Sequence, residues 1–223
     1  MSMAERRTSA VRRRGEILDA ALTELAAHGY QGMTIGAVAK RAGLTQQGLL
    51  HHFPTKETLL LAALEFLAER DSAQMPTAPD RPALPLSYLP GLVELNQSRP
   101  EAVRARTVLS AECLTDDHPA RDYFAERFRM ARVSMAHSIR REFGSGLAPG
   151  ITPEDAATLL SATMNGLLQL WLLDPSIGEP AELVRKMLHL VAPSAGWNTA
   201  SAVEEIADAD PGGEGGRPGG MHT

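Results

Sequence analysis

One cysteine in 223 residues, Cys113, rules out an intrachain disulfide framework and any zinc site built on several thiolates. A reducing compartment is the natural expectation. No uninterrupted apolar run approaches the roughly 18 residues of a membrane span. The arginines near the N-terminus have no apolar stretch behind them, so a secretory leader is not expected either. Aromatic residues, at 4%, are too few for a sandwich or barrel faced with aromatic and β-branched strands. Strict alternation of apolar and polar residues is also missing over any useful length, which leaves helix as the expected element. Together these absences predict an all-α, cytoplasmic chain with no membrane partner, no cofactor and no metal.

Net positive charge is lacking as well: the chain carries -5 overall. Residues 1–60 nevertheless hold eight Lys or Arg against five Asp or Glu, a local +3, and the remainder carries -8. A basic end on an acidic body is the asymmetry of a chain with a polyanionic partner at one end.

What is present is helical spacing almost throughout. Ile17, Leu18, Ala21, Leu22 and Leu25 make one stripe of a helix over about 9–28, stopped by Gly29. Helices follow at about 34–41, 45–52 and 55–71. Four prolines between residues 74 and 86 interrupt helix there. Beyond them the spacing predicts helices at about 87–98, 100–115, 119–143, 153–173 and 180–192. Pro100 and Pro119 suit first-turn positions, and Thr152-Pro153-Glu154-Asp155 combines a cap, a first-turn proline and an acidic N3 residue. Residues 196–223, with seven glycines and five acidic groups, cannot bury enough apolar surface to order themselves.

Residues 34–53, TIGAVAKRAGLTQQGLLHHF, are the informative stretch. Gly43 fits the turn between two short helices, and Ala39, four positions earlier, is small enough for a close crossing. Ile35, Val38, Ala42, Leu44 and Leu49 fill the flanking apolar places. This is the spacing of a helix-turn-helix, to which the preceding helix adds a third wall.

Residues 12–60 resemble the N-terminal domain of the TetR family of transcriptional repressors. The resemblance rests on Gly43-Leu44-Thr45, the segment Gln46 to His52, and Phe53-Pro54-Thr55-Lys56-Glu57. Where the family usually has a tyrosine that contacts the phosphate backbone, this chain has Leu50, so His51 or His52 would supply that contact. Beyond about residue 75 the likeness is one of architecture only. It implies a flexible basic arm over 1–11, a DNA-binding domain over 12–60, an effector-binding and dimerisation domain over 61–195, and a disordered tail over 196–223.

Physical chemistry assigns roles to individual residues. A helix starting at Thr45 would lie in the major groove, with Gln46 and Gln47 able to pair bidentately with adenine and Gly48 permitting close approach. Thr34, Thr45 and Thr55 begin helices, where a hydroxyl serves as a cap or as a phosphate contact. Lys56 adds charge at one such end, and Arg12, Arg13 and Arg14 would follow the backbone or the minor groove.

In the body, the helix over 153–173 is apolar on more than one face. With the stripe of the last helix it is similar to the family's four-helix dimer interface, to which Leu160, Leu167, Leu168, Leu183, Met187, Leu188 and Val191 are assigned. Effector-pocket candidates are Cys113, Tyr123, Phe124, Phe128, Met135, His137, Met164, Asn165, Gln169 and Trp171. The function implied is a homodimeric repressor that binds a palindromic operator in double-stranded DNA and is released by a small, mostly apolar effector. Two other classes stay open at this point: a small all-α enzyme using Cys113 and His118, and a helical adaptor whose basic arm binds an acidic protein.

Overall fold

Threonine side chains cap the helix starts at residues 35, 46, 56 and 153. The computed structural model describes residues 3–73, 85–115, 117–144 and 146–194, with side chains from residue 8 onward except at 72 and 73. Among these residues the chain forms nine α-helices and no strand. The first, α1, spans Met3–Gly32 and is broken at Gly29, whose φ of 64° and ψ of -174° lie outside the helical region. Residues 3–11, expected as a flexible arm, are the opening turns of this helix. Ala4, Glu5, Arg6, Arg7 and Ala10 are strong helix formers, and no glycine or proline precedes Gly15.

Two short helices follow, α2 (Ile35–Arg41) and α3 (Gln46–His52). The turn between them passes through Gly43 at φ 64°, a left-handed conformation that favours glycine. Next is α4, Lys56–Ala73. Most of the proline-rich segment (74–84) and all of the acidic tail (196–223) lie outside the described residues.

The body is built from α5 (Leu89–Gln97), α6 (Pro100–Glu112), α7 (Arg121–Phe143), α8 (Pro153–Leu173) and α9 (Pro180–Val191). Short 3-10 turns at Leu86–Tyr88 and Pro175–Ile177 precede α5 and α9. The start of α8 is a full capping box: Thr152 accepts from the Asp155 N–H, and Asp155 accepts from the Thr152 N–H. Pro119 does not open α7, which starts at Arg121 after Ala120. Arg121 there turns a guanidinium nitrogen onto the carbonyl of Cys113 at 3.1 Å, so the last turn of α6 is closed by a residue of α7.

The apolar residues gather into two cores. One joins α1 to α4 and continues into the end of α6 and the start of α7, with Ile17, Leu25, Leu49, Leu59, Leu60 and Leu109 fully buried. Each of those side chains contributes about 2 kcal/mol by leaving water. The other joins α5, the second half of α7, α8 and α9. The first core therefore does not close at residue 60, where sequence alone divides the chain.

By length and composition α8 is apolar enough to cross a membrane, the one such helix among the described residues. Thr158, Ser161, Thr163, Asn165 and Gln169 interrupt its apolar run, which is why the sequence shows no uninterrupted span. One side of α8 holds the second core through Ala156, Leu160, Met164 and Leu168.

Candidate nucleic-acid interface

The α2–α3 pair is fixed from beneath. Val38, Ala39 and Leu49 are buried against α1 and α4, and Leu44 is half-buried beside them. Arg41 donates to Glu24 of α1 at 2.8 Å, and that carboxylate is almost fully buried. Arg13 reaches from α1 to the Gly43 carbonyl at 3.3 Å, holding the turn itself.

On this base α3 presents Gln46, Gln47, His51 and His52 to solvent. Gln47 and His51 are one helical turn apart and share the outward side opposite buried Leu49. Gln46 behaves differently: a Cβ placed on Gly36 of α2 would come within 2.6 Å of its amide nitrogen, so this side chain lies over α2. Gly48 is half-buried, its N–H donating to Thr45 Oγ1 at 3.1 Å. The rings of His51 and His52 stand edge to face 6.0 Å apart, and Leu50, where the resemblance calls for tyrosine, is half-buried.

Three threonines cap the three helices around this face. Thr34 Oγ1 accepts from the Ala37 N–H, Thr45 Oγ1 from the Gly48 N–H, and Thr55 Oγ1 from the Thr58 N–H, each at 3.1 Å. A hydroxyl both accepts and donates, so accepting the cap bond leaves the Thr34 and Thr45 hydrogens able to reach a phosphate oxygen. The two roles that sequence sets as alternatives are compatible here.

The basic residues divide. Arg12 is 78% exposed and sits 3.8 Å from Glu16, whereas Arg14 lies 4.6 Å over the Phe53 ring. With Arg13 on the Gly43 carbonyl, two of the three arginines expected to follow the backbone or the minor groove brace the helix-turn-helix. Lys56 is likewise turned inward, 3.3 Å from the Gln31 carbonyl and 4.5 Å over the Tyr30 ring. Helix α1 carries all three arginines.

The effector candidates do not line one cavity. Cys113, Tyr123, Phe124 and Phe128 pack with the first core, and Met135 and Met164 with the second. His137, Asn165 and Gln169 are exposed, and Trp171 is half-buried. Tyr123 and His137 share α7, but 14 residues of helix place them about 20 Å apart. A crevice between α4, α6 and α7 does exist, lined by Leu64, Leu67, Ala68, Arg106, Tyr123, Phe124 and Arg127, and it is too narrow here to admit a water molecule.

The interface candidates also separate. Leu160, Leu168, Leu188 and Val191 are buried in their own protomer's core, while Leu167, Leu183 and Met187 are half-buried at its edge. On these two helices the exposed large apolar residues are Leu159 (42%), Leu170 (53%) and Leu173 (77%) of α8 and Leu190 (72%) of α9. A two-faced helix cannot be split into inner and outer stripes from its sequence alone.

Three features escaped the sequence reading. Glu112 accepts from the Tyr30 N–H at 2.8 Å, His118 is buried, and Asp71 gathers Arg99, Arg106 and Arg127. The first and last are pairings over long chain separations that no local pattern marks, and the burial of His118 rests in part on Tyr30, 88 positions away. Among the described residues no three His, Cys, Asp or Glu side chains gather to hold a metal ion.

Comparison with known proteins bears on the same region. The sequence model described as "Bacterial regulatory proteins, tetR family" matches residues 17–63. A segment of 63 residues is 41% identical to the transcriptional repressor AcnR of Corynebacterium diphtheriae, covering 28% of this chain and 31% of that protein. Another of 69 residues is 44% identical to the transcriptional regulator CymR of Pseudomonas putida, covering 30% and 34%. These matches thus span about a third of the length of either relative. The AcnR of Corynebacterium efficiens is 32% identical over 130 residues, 55% of this chain and 66% of that one. Among solved structures, a transcriptional regulator of Rhodococcus sp. Rha1 superposes with a TM-score of 0.66 at 21% identity, over 82% of this chain and 97% of that one. NalD of Pseudomonas aeruginosa, described as the secondary repressor of a multidrug efflux pump, does so at 0.65 and 23%, over 84% and 100%. At such identities these structures speak for the fold alone.

Proposed function

Because the chain belongs to the TetR family of bacterial regulatory proteins, whose members are regulators rather than enzymes, we propose that it is a cytoplasmic, homodimeric transcriptional repressor that binds a palindromic operator through α3 and releases it on binding a small effector. The observation that carries the reading is the exposed pair Gln47 and His51 on one side of α3, with the helix anchored by Leu49 and capped by Thr45. An amide and an imidazole on a rigid, groove-sized helix suit base edges and phosphates respectively. Relatives and structural neighbours lend support: AcnR is named a repressor, and a regulator from Saccharomonospora viridis was solved in complex with choline.

Dimerisation is supported by the outer stripe of α8 and α9, where Leu159, Leu170, Leu173 and Leu190 stand in solvent in the isolated protomer. Open space above Gly166 on the same helix allows a partner helix to approach. A two-fold axis there would set two α3 helices for successive half-sites.

The test is binding to DNA flanking the protein's own gene, measured at several salt concentrations. Specific binding that weakens steeply with salt is expected. Gln47→Ala should alter sequence preference, and Arg12→Ala should weaken binding to all sequences alike. A folded dimer with no specific affinity for such DNA would refute the reading.

A further inference from the structure

Resting on the reading of the chain as a ligand-responsive regulator, we propose that the effector is a small carboxylate with an apolar body, and that its headgroup is bound by Arg106 and Arg127 in competition with Asp71. Asp71, in the last turns of α4, is the meeting point of three guanidinium groups. Arg106 lies 2.7 Å from its Oδ2, Arg127 3.5 Å from the same oxygen, and Arg99 3.4 Å from its Oδ1. The carboxylate is 13% exposed, Arg99 19%, Arg106 20% and Arg127 37%. Among the described residues no other acidic group is paired with these three arginines. The second arm of Arg106 ends on the neutral Asn96 side chain. One negative charge therefore faces three positive ones, two of them, Arg99 and Arg106, at most one fifth exposed, while Arg127 reaches solvent.

The hydrogen bonds are as incomplete as the charge. Arg99 Nε and Asp71 Oδ1 are buried without a hydrogen-bond partner. Burial lowers the Arg106 pKa, and the neighbouring Arg127 and Arg99 lower it further while Asp71 opposes them. Buried charge in excess of its partners is costly, and a second carboxylate relieves it through the paired N–H groups that guanidinium offers.

The apolar part of the ligand also has a place. Arg106 and Arg127 are themselves walls of the crevice whose other walls include Leu64, Leu67, Ala68 and Phe124. Since that crevice excludes even water in this state, a ligand must part α4 from α7 to enter, and its carboxylate must displace Asp71. Helix α4 also holds the first core through Leu59, Leu60 and Ala63, beneath α3, so parting it is felt at the DNA-binding face.

The experiment uses the full-length dimer and follows thermal unfolding and calorimetric titration with phenylacetate and hexanoate against their neutral amides. The carboxylates are expected to raise Tm and to bind about tenfold more tightly than the amides, because only they pair with guanidinium. Arg127→Gln should abolish that preference. Asp71→Asn, which removes the competitor, should tighten carboxylate binding, and carboxylate should restore stability if that variant is weakened. Equal response to acid and amide, no response to either, or unchanged affinity in Asp71→Asn would each overturn the proposal. Operator binding is followed in parallel. A protein that discriminates acid from amide but binds no DNA keeps the site and loses the regulatory reading; one that binds DNA without discriminating does the reverse.

Discussion

Cys113 and His118 stand 3.0 Å apart, Sγ to Nδ1, the pair from which a thiol nucleophile is made. Their surroundings work against that chemistry. The Ala120 N–H also points at Nδ1, 3.2 Å away, which assigns that nitrogen as an acceptor and the proton to Nε2. Burial, with the Glu112 charge behind it, pushes the Cys113 thiol up to about 11, and burial lowers the His118 pKa despite Glu112. Both groups stay neutral, so the pair is core. Cys113 should accordingly react slowly with iodoacetamide in the native protein at pH 8 and rapidly in guanidinium chloride; fast native labelling would refute its inert role. For His118 the folded-state pKa lies below the unfolded value of about 6.5, so the unfolded chain binds the extra proton more readily. The stability it contributes is fully present above that value and is lost as pH falls through the folded pKa. Thermal unfolding across pH 5 to 8 should show a steeper loss on acidification in the parent than in His118→Gln. The inert role of Cys113 is the plainer reading of the sequence, whereas the burial of His118 is not legible there, because its partners include Tyr30, 88 positions away, whose ring it meets at 5.1 Å.

Gly29 shows how an element is stopped. Its φ of 64° disfavours side chains, and a Cβ there would lie 2.2 Å from the Glu112 carboxylate that accepts the Tyr30 N–H. Gly29→Ala should destabilise the protein by roughly 2 kcal/mol, combining left-handed strain with loss of that hydrogen bond. Denaturant unfolding measures this, and an unchanged midpoint would show that Glu112 yields freely. At this scale the sequence was most readable. The Gly29 break, the threonine caps of α2 and α3 and the capping box of α8 lie within a few residues of the groups they satisfy. The start of α7 differs from the one Pro119 suggests because a first-turn proline is a sufficient local signal, while Arg121 on the Cys113 carbonyl, eight residues back across a chain reversal, belongs to the tertiary fold. Gln46 and Gln47 looked equivalent for the same reason, since only the α2–α3 crossing places Gly36 beneath one of them.

For the whole molecule, the exposed leucines of α8 and α9 are the surface that association should cover. Leu170→Glu together with Leu190→Glu should convert a dimer into a monomer by light scattering, with helical content retained and operator affinity reduced at least about tenfold. A double variant that stays dimeric would place the interface elsewhere. The division of charge along the chain was legible from composition alone, but the division of the core was not. Leu109, Cys113 and Phe124 come from the body and sit in the same apolar cluster as the DNA-reading helices. A chimera cut at residue 60 or 73 would therefore leave its DNA-reading half with an unfilled wall. Exchanging operator specificity between regulators of this build calls for transplanting the end of α6 and the start of α7 together with the first four helices.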